Sequence, residues 1–158
     1  VVVWGAPPAP RMAAQARGRL VDVLRHPGLM RLNFGVFVLH AVQLAMWVAV
    51  PALLVQAGLP KDHHWQVYLP AVLASFVLMG GMFALERRGH LKKVFLAAIA
   101  LITLVQLGLL VQASGTARLW PLAGWLFAFF CGFNILEATQ PSLVSRLAPV
   151  SVRGAALN

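Results

Sequence analysis

Four stretches of the chain, Leu32–Gln56, Trp65–Leu85, Val94–Ala117 and Leu119–Ser145, run for twenty-one residues or more without a Lys or Arg, and hold one acid between them, Glu137. About 20 apolar residues at 1.5 Å rise cross the roughly 30 Å of hydrocarbon in a bilayer. A backbone in hydrocarbon must satisfy its own N–H and C=O groups, which makes each stretch a helix rather than an open strand. Composition agrees, with 60% of the 158 residues hydrophobic and 11% charged. Soluble domains are about 45–50% apolar and about 25% charged, and need a polar surface that this chain cannot supply. The expectation is an all-α membrane protein with four transmembrane helices, and the lipid bilayer as its first partner.

The formal net charge of +9 would suit a nucleic-acid binder, but its placement excludes one. The cations form short clusters between the apolar runs instead of a stripe along an amphipathic face. Arg11, Arg17, Arg19, Arg25 and Arg31 precede the first run, Arg87, Arg88, Lys92 and Lys93 separate the second from the third, and Arg146 and Arg153 follow the fourth. The two remaining connections hold only Lys61 and Arg118. Eleven of the 13 basic residues thus sit in alternate loops, which the positive-inside rule puts in the cytoplasm, with both chain ends. An even number of crossings demands the same. Trp65, Tyr68 and Trp120 then fall at the outer interface as aromatic anchors.

Residues 1–31 read as the end of a preceding span followed by a cytoplasmic linker rich in Pro and Arg. Val1–Trp4 is the apolar tail, with no Met before it, as if cut from something longer. Ala6-Pro7-Pro8-Ala9-Pro10 stops a helix, and Met12–Leu24 has room for a short surface helix. Residues 32–158 form the membrane domain. Cys131, the single cysteine, allows no internal disulfide.

A carboxyl inside a spanning helix is costly and faces a cavity or a partner. Asn134, Glu137 and Gln140, at i, i+3 and i+6, mark a polar stripe on the fourth helix, and a carboxyl there can take up and release a proton. Against this, Glu137 lies about 27 Å along its helix from Leu119, in the cytoplasmic third, where a gate or an interfacial ion pair is an equal reading. On the first helix, Asn33, His40 and Gln43 share a face, and an unperturbed histidine titrates near neutrality. These polar groups either bond neighbouring helices or line a cavity that the bend at Pro51 would open. Gly124, Ala128 and Gly132, at four-residue spacing, and Gly80-Gly81 suit close helix packing. Thr103 and Gln106 read as packing polar groups. Asp62-His63-His64 reads as a solvated loop rather than a metal site. No phosphate loop, metal pattern or nucleophile–base set appears, so neither cofactor nor metal is expected and the chain does not read as an enzyme.

The loop Glu86-Arg87-Arg88-Gly89-His90-Leu91-Lys92-Lys93 resembles the acidic-Arg-x-Gly-basic loop of the major facilitator superfamily (MFS), which joins the second and third helices of each six-helix half. Glu stands for the usual Asp, Met82 occupies the position of the usual upstream Gly, and the basic pair is displaced to Lys92 and Lys93. Phe133-Asn134-Ile135-Leu136-Glu137-Ala138, running through Pro141–Pro149 to Arg153-Gly154-Ala155-Ala156, is similar to the tenth helix of bacterial proton-driven efflux transporters of the YajR-like branch. Leu24–Gly35 is similar to their entry into helix seven.

The resemblance implies that the four spans are helices seven to ten of a twelve-helix MFS fold in the bacterial inner membrane. It implies partners as well: the N-terminal six-helix half of the same transporter, a small-molecule substrate and the proton. It makes Glu137, Asn134, His40 and Gln43 candidates for a substrate or proton pathway, and Glu86, Arg87, Arg88 and Gly89 candidates for a conformational-switch loop. The alternative is a small non-transporting multi-pass subunit, which the short length and scarcity of buried ionisable groups would suit.

Overall fold

The computed structural model describes residues 25–85 and 89–147. It is all-helical over these residues: α1 spans Pro27–Gln56, α2 Trp65–Leu85, α3 Leu91–Ser114 and α4 Leu119–Leu147, with a single 3-10 turn at Lys61–His63 between α1 and α2. Three helical segments, Pro27–Gln56, Leu91–Ser114 and Leu119–Arg146, are long and apolar enough to cross a membrane. The preceding segment 1–24, with the expected linker and surface helix, lies outside the described residues, as do Glu86, Arg87, Arg88 and everything after Leu147.

The boundaries move where local chemistry outweighs charge. The expected first span opened at Leu32, taking Arg31 as its edge; α1 opens five residues earlier. Pro27 occupies the first turn, where its missing N–H costs nothing, and the His26 ring accepts from the Leu29 N–H at 3.4 Å. Lys92 and Lys93 likewise lie inside the first turn of α3 rather than ahead of it. That helix stops at Ser114, short of the expected Ala117, where Gly115 turns to extended backbone.

The exit from α1 is a Schellman turn. Gly58 takes a φ of +88°, its N–H donates to the Val55 carbonyl at 3.0 Å, and the Leu59 N–H donates to the Leu54 carbonyl at 2.9 Å. Gly89, with a φ of +85°, makes the corresponding tight turn into α3. Proline interrupts three helices without ending them: Pro51 in α1, Pro70 in α2 and Pro141 in α4.

α4 packs against all three other helices. Half of its most apolar window is buried, against 28% for α1 and 22% for α3. Its inward face carries Leu122, Leu126, Phe129 and Phe133, which meet Val105 and Ile102 of α3, Ala71 of α2 and Met46 and Val50 of α1 in one core. The outward faces stay apolar: Phe34 and Val48 on α1, Val77 on α2 and Val111 on α3 are each at least 67% exposed. Apolar surface on that scale has no counterpart on a soluble monomer, and lipid is its solvent. Trp65 and Trp120 are exposed at one end of the bundle, as interfacial anchors would be. Tyr68 does not join them. It turns inward and stacks on Trp47, with ring centroids 5.6 Å apart and planes at 12°.

Small residues decide how closely α3 and α4 approach. The ring of Trp125 fills the space where a side chain at Gly108 would stand. A Cβ at Gly132 would meet Ile102 at 3.0 Å and the Ala98 carbonyl oxygen at 3.4 Å, whereas one at Gly124 would meet nothing within 4 Å. Of the expected glycine stripe, position 132 is a packing contact and position 124 faces open space. Gly132→Val is therefore expected to lower unfolding stability by about 1–3 kcal/mol. Gly124→Ala is expected to leave stability unchanged or raise it by about 0.5–1 kcal/mol. Thermal unfolding in detergent, followed by circular dichroism, checks the order of the two.

Candidate functional site

His40 on α1 and Glu137 on α4 lie 97 positions apart in sequence, and the fold brings their side chains together. The His40 Nε2 stands 3.1 Å from the Glu137 Oε1. On its other side the ring is tied to its own helix, with Nδ1 2.9 Å from the Val36 carbonyl oxygen. Phe133 presents its ring to the imidazole nearly edge-on, with centroids 6.0 Å apart and planes at 73°. Phe133 in turn stacks on Phe129, one turn back along α4, at 5.7 Å. The imidazole is thus fixed by a carbonyl, a carboxyl and the end of an aromatic column.

This geometry carries a proton requirement. A backbone carbonyl can only accept, so the Val36 contact needs a hydrogen on Nδ1. With Nδ1 protonated, neutral imidazole offers only a lone pair at Nε2. A carboxylate facing it offers lone pairs too. The tautomer decides which contact is a hydrogen bond: a hydrogen on Nδ1 serves the Val36 carbonyl, one on Nε2 serves the Glu137 carboxyl, and imidazolium serves both. Against a carboxylate, neutral imidazole can therefore keep one of the two contacts as a hydrogen bond, and imidazolium keeps both.

The pair is also open. The His40 and Glu137 side chains remain 46% and 43% exposed, on a face that no other described helix covers. An ionisable pair opened to hydrocarbon is unfavourable by several kcal/mol, so this face belongs against water or against more protein.

The other candidates go elsewhere. Asn134 and Glu137, three residues apart on α4, reach different helices: Glu137 meets α1 and Asn134 meets α2. Asn134 Nδ2 donates to Ser75 Oγ on α2 at 2.9 Å, and that fully buried hydroxyl donates to the Val72 carbonyl at 2.7 Å. Gln140 lines a groove beside α1 and α3. Gln43 sits with Met46, Trp47 and Tyr68 at a small gap against Phe129. Tyr68 Oη is buried there without a hydrogen-bond partner among the described residues. Gly89 provides its turn; its companions Glu86, Arg87 and Arg88 are outside the described residues. His63 meets Asp62 at 3.2 Å while His64 Nε2 turns to the Leu59 carbonyl at 3.1 Å. Among the described residues no three His, Cys, Asp or Glu side chains gather as a metal set would.

Sequence reasoning missed Ser75, Phe133 and the Trp47–Tyr68 stack. Trp47 had left a trace, standing seven residues after His40 on the same face of α1. Ser75 had none, because a lone serine in an apolar run does not announce its partner.

Similarity searches give the context. The chain is 32% identical over 148 residues to the inner membrane transport protein YajR of Escherichia coli, covering 93% of this chain and 32% of that protein. It is 30% identical over 141 residues to an uncharacterized transporter of Buchnera aphidicola, covering 89% of this chain and 35% of that one. The chain is a relative of YajR-type transporters. The resemblance drawn from its loop and its fourth span pointed to that branch. A match of this length to YajR takes in all four helices, His40 and Glu137 included. The chain spans about a third of the length of these curated transporters. No family model matches it. No solved structure matches it.

The Ser75–Asn134 bond is a polar tie between α2 and α4. Ser75→Ala and Asn134→Leu should each lower stability. Their combined effect should fall short of the sum by about 0.5–1.5 kcal/mol in a double-mutant cycle of detergent unfolding.

Proposed function

We propose that this chain forms helices seven to ten of a twelve-helix MFS transporter that expels small molecules in exchange for protons by alternating access, with the His40–Glu137 pair holding the coupling proton. The observation that carries the reading is the set of acceptors around His40: a carbonyl faces one ring nitrogen and a carboxyl the other, and only a doubly protonated ring serves both. The half-open face supports it, since in this reading the pair looks into the cavity between two six-helix halves, where substrate and proton sites of such carriers lie. Proton release would weaken the attraction between α1 and α4 and favour their separation. Substrate would then meet a cavity bounded by Gln43, Trp47 and the freed carboxylate. Asn134 supports the pathway from behind, by fixing α4 on α2.

Both ends of this segment are cytoplasmic in the proposal, and the loop from Glu86 to Lys93 works as the switch at the cytoplasmic face. The turn that Gly89 makes into α3 favours this role. The membrane is the bacterial inner membrane, as YajR's name gives for that protein.

Glu137→Gln tests the proton role with little structural cost. The glutamine amide can donate to a neutral Nε2, so the helix contact survives while the titrating group is gone. In vesicles containing the full-length transporter that carries this segment, proton flux coupled to substrate is expected to fall to the level of protein-free vesicles. Unchanged coupling removes the assigned role. Orientation has its own check. In intact cells, His63→Cys should react with a membrane-impermeant maleimide, and His90→Cys should react only after the cells are opened. Cys131, buried in α4, should contribute little background.

A further inference from the structure

We propose that the groove between α1 and α3 binds one anionic phospholipid of the surrounding bilayer, with an acyl chain in the groove and the phosphate on Arg31. The groove has a volume of about 320 Å³. Gly35 and Leu39 form its α1 wall, Phe95 and Ile99 its α3 wall and Leu136 its floor, with Arg31 and Gln140 as its polar members. Farther along, Gln106 Nε2 of α3 lies 3.7 Å from Met46 Sδ of α1. Glycine keeps the slot open: a side chain at position 35 would meet nothing within 4 Å.

Charge selects the occupant. α1 and α3 begin at this end of the bundle and α4 finishes there. Arg25, Arg31, Lys92, Lys93 and Arg146 therefore gather at it, while the two described acids, Asp62 and Glu137, lie in the opposite turn and within α4. A zwitterionic phospholipid brings its own cation to the mouth along with its phosphate, and one more apolar helix brings no charge at all. An anionic phospholipid supplies both the chain for the walls and the charge for the mouth, as basic pockets between membrane helices do. The site is separate from the His40–Glu137 pair and stands whether or not that pair moves protons.

Native mass spectrometry of the full chain, stripped of lipid in detergent, decides the matter. It is titrated with phosphatidylglycerol and, separately, with phosphatidylcholine of the same acyl chains. One phosphatidylglycerol is expected to stay bound with about fivefold preference, the equivalent of one surface cation contact. Arg31→Gln should abolish the preference. Lys93→Gln, at the same end but outside the groove lining, should retain it. Gly35→Leu fills the slot and should weaken both lipids; Gly28→Leu fills it from the mouth and replaces that variant if circular dichroism shows lost helix. Equal binding of the two lipids, equal losses in Arg31→Gln and Lys93→Gln, or undiminished binding after the slot is filled each overturn the proposal.

Discussion

In hydrocarbon, helices gain no hydrophobic advantage from meeting one another, because lipid tails are as apolar as leucine; close fit and a few interhelical polar bonds must hold them. α4 is where this bundle meets that demand. Phe129, Phe133, Leu122 and Leu126 give it a wide apolar face on which the other helices rest. Trp125 lies over Gly108 and Ile102 over Gly132, so the α3–α4 seam is tight. Asn134 reaches Ser75 and fastens α2. Only the seam with α1 is sparse, and there the polar bridge is His40 with Glu137.

That contrast gives the functional proposal its mechanical side. Two helices are locked to α4 by shape, and one is held in part by a contact that depends on a proton. A bond from imidazolium to a carboxylate is stronger than one from neutral imidazole, whereas van der Waals contacts do not respond to protonation. Placing the titrating bridge on the loosest seam is the arrangement in which proton transfer could change helix separation most. The edge of Phe133 and the Val36 carbonyl keep the imidazole oriented so that Nε2, and not the ring face, meets the carboxyl.

Much of the architecture was legible because lipid imposes so narrow a grammar. Runs free of Lys and Arg marked all four helices, and the opening at Trp65 and the opening at Leu119 stand where the sequence put them. The helices do not keep to the expected span edges: Arg31 and the lysines at 92 and 93 were the expected boundaries, and the helices themselves are limited by Pro27 and Gly115. The site was half legible. His40 and Glu137 were each visible as an ionisable group in an apolar run, but their meeting was not, since no local spacing relates positions on separate helices. The spacing of Asn134 and Glu137 did not reveal their partners, because neighbours on one helix can reach two different helices packed against it. Tyr68 misled because position in a run predicts depth and says nothing about which way a side chain faces.

The up-and-down course of the chain has an electrical consequence at the groove. Its two walls are helices that both start at the same end, so each points the positive pole of its peptide dipoles toward the mouth. Neither has an acid in its first turn to mute that pole. Arginine and lysine are stacked on top of it, contrary to the usual preference at a helix start, where a cation is unfavourable by about 0.3–1 kcal/mol. Side chains and backbone then add rather than cancel, and this corner of the molecule carries a local positive field greater than its count of cations alone would give.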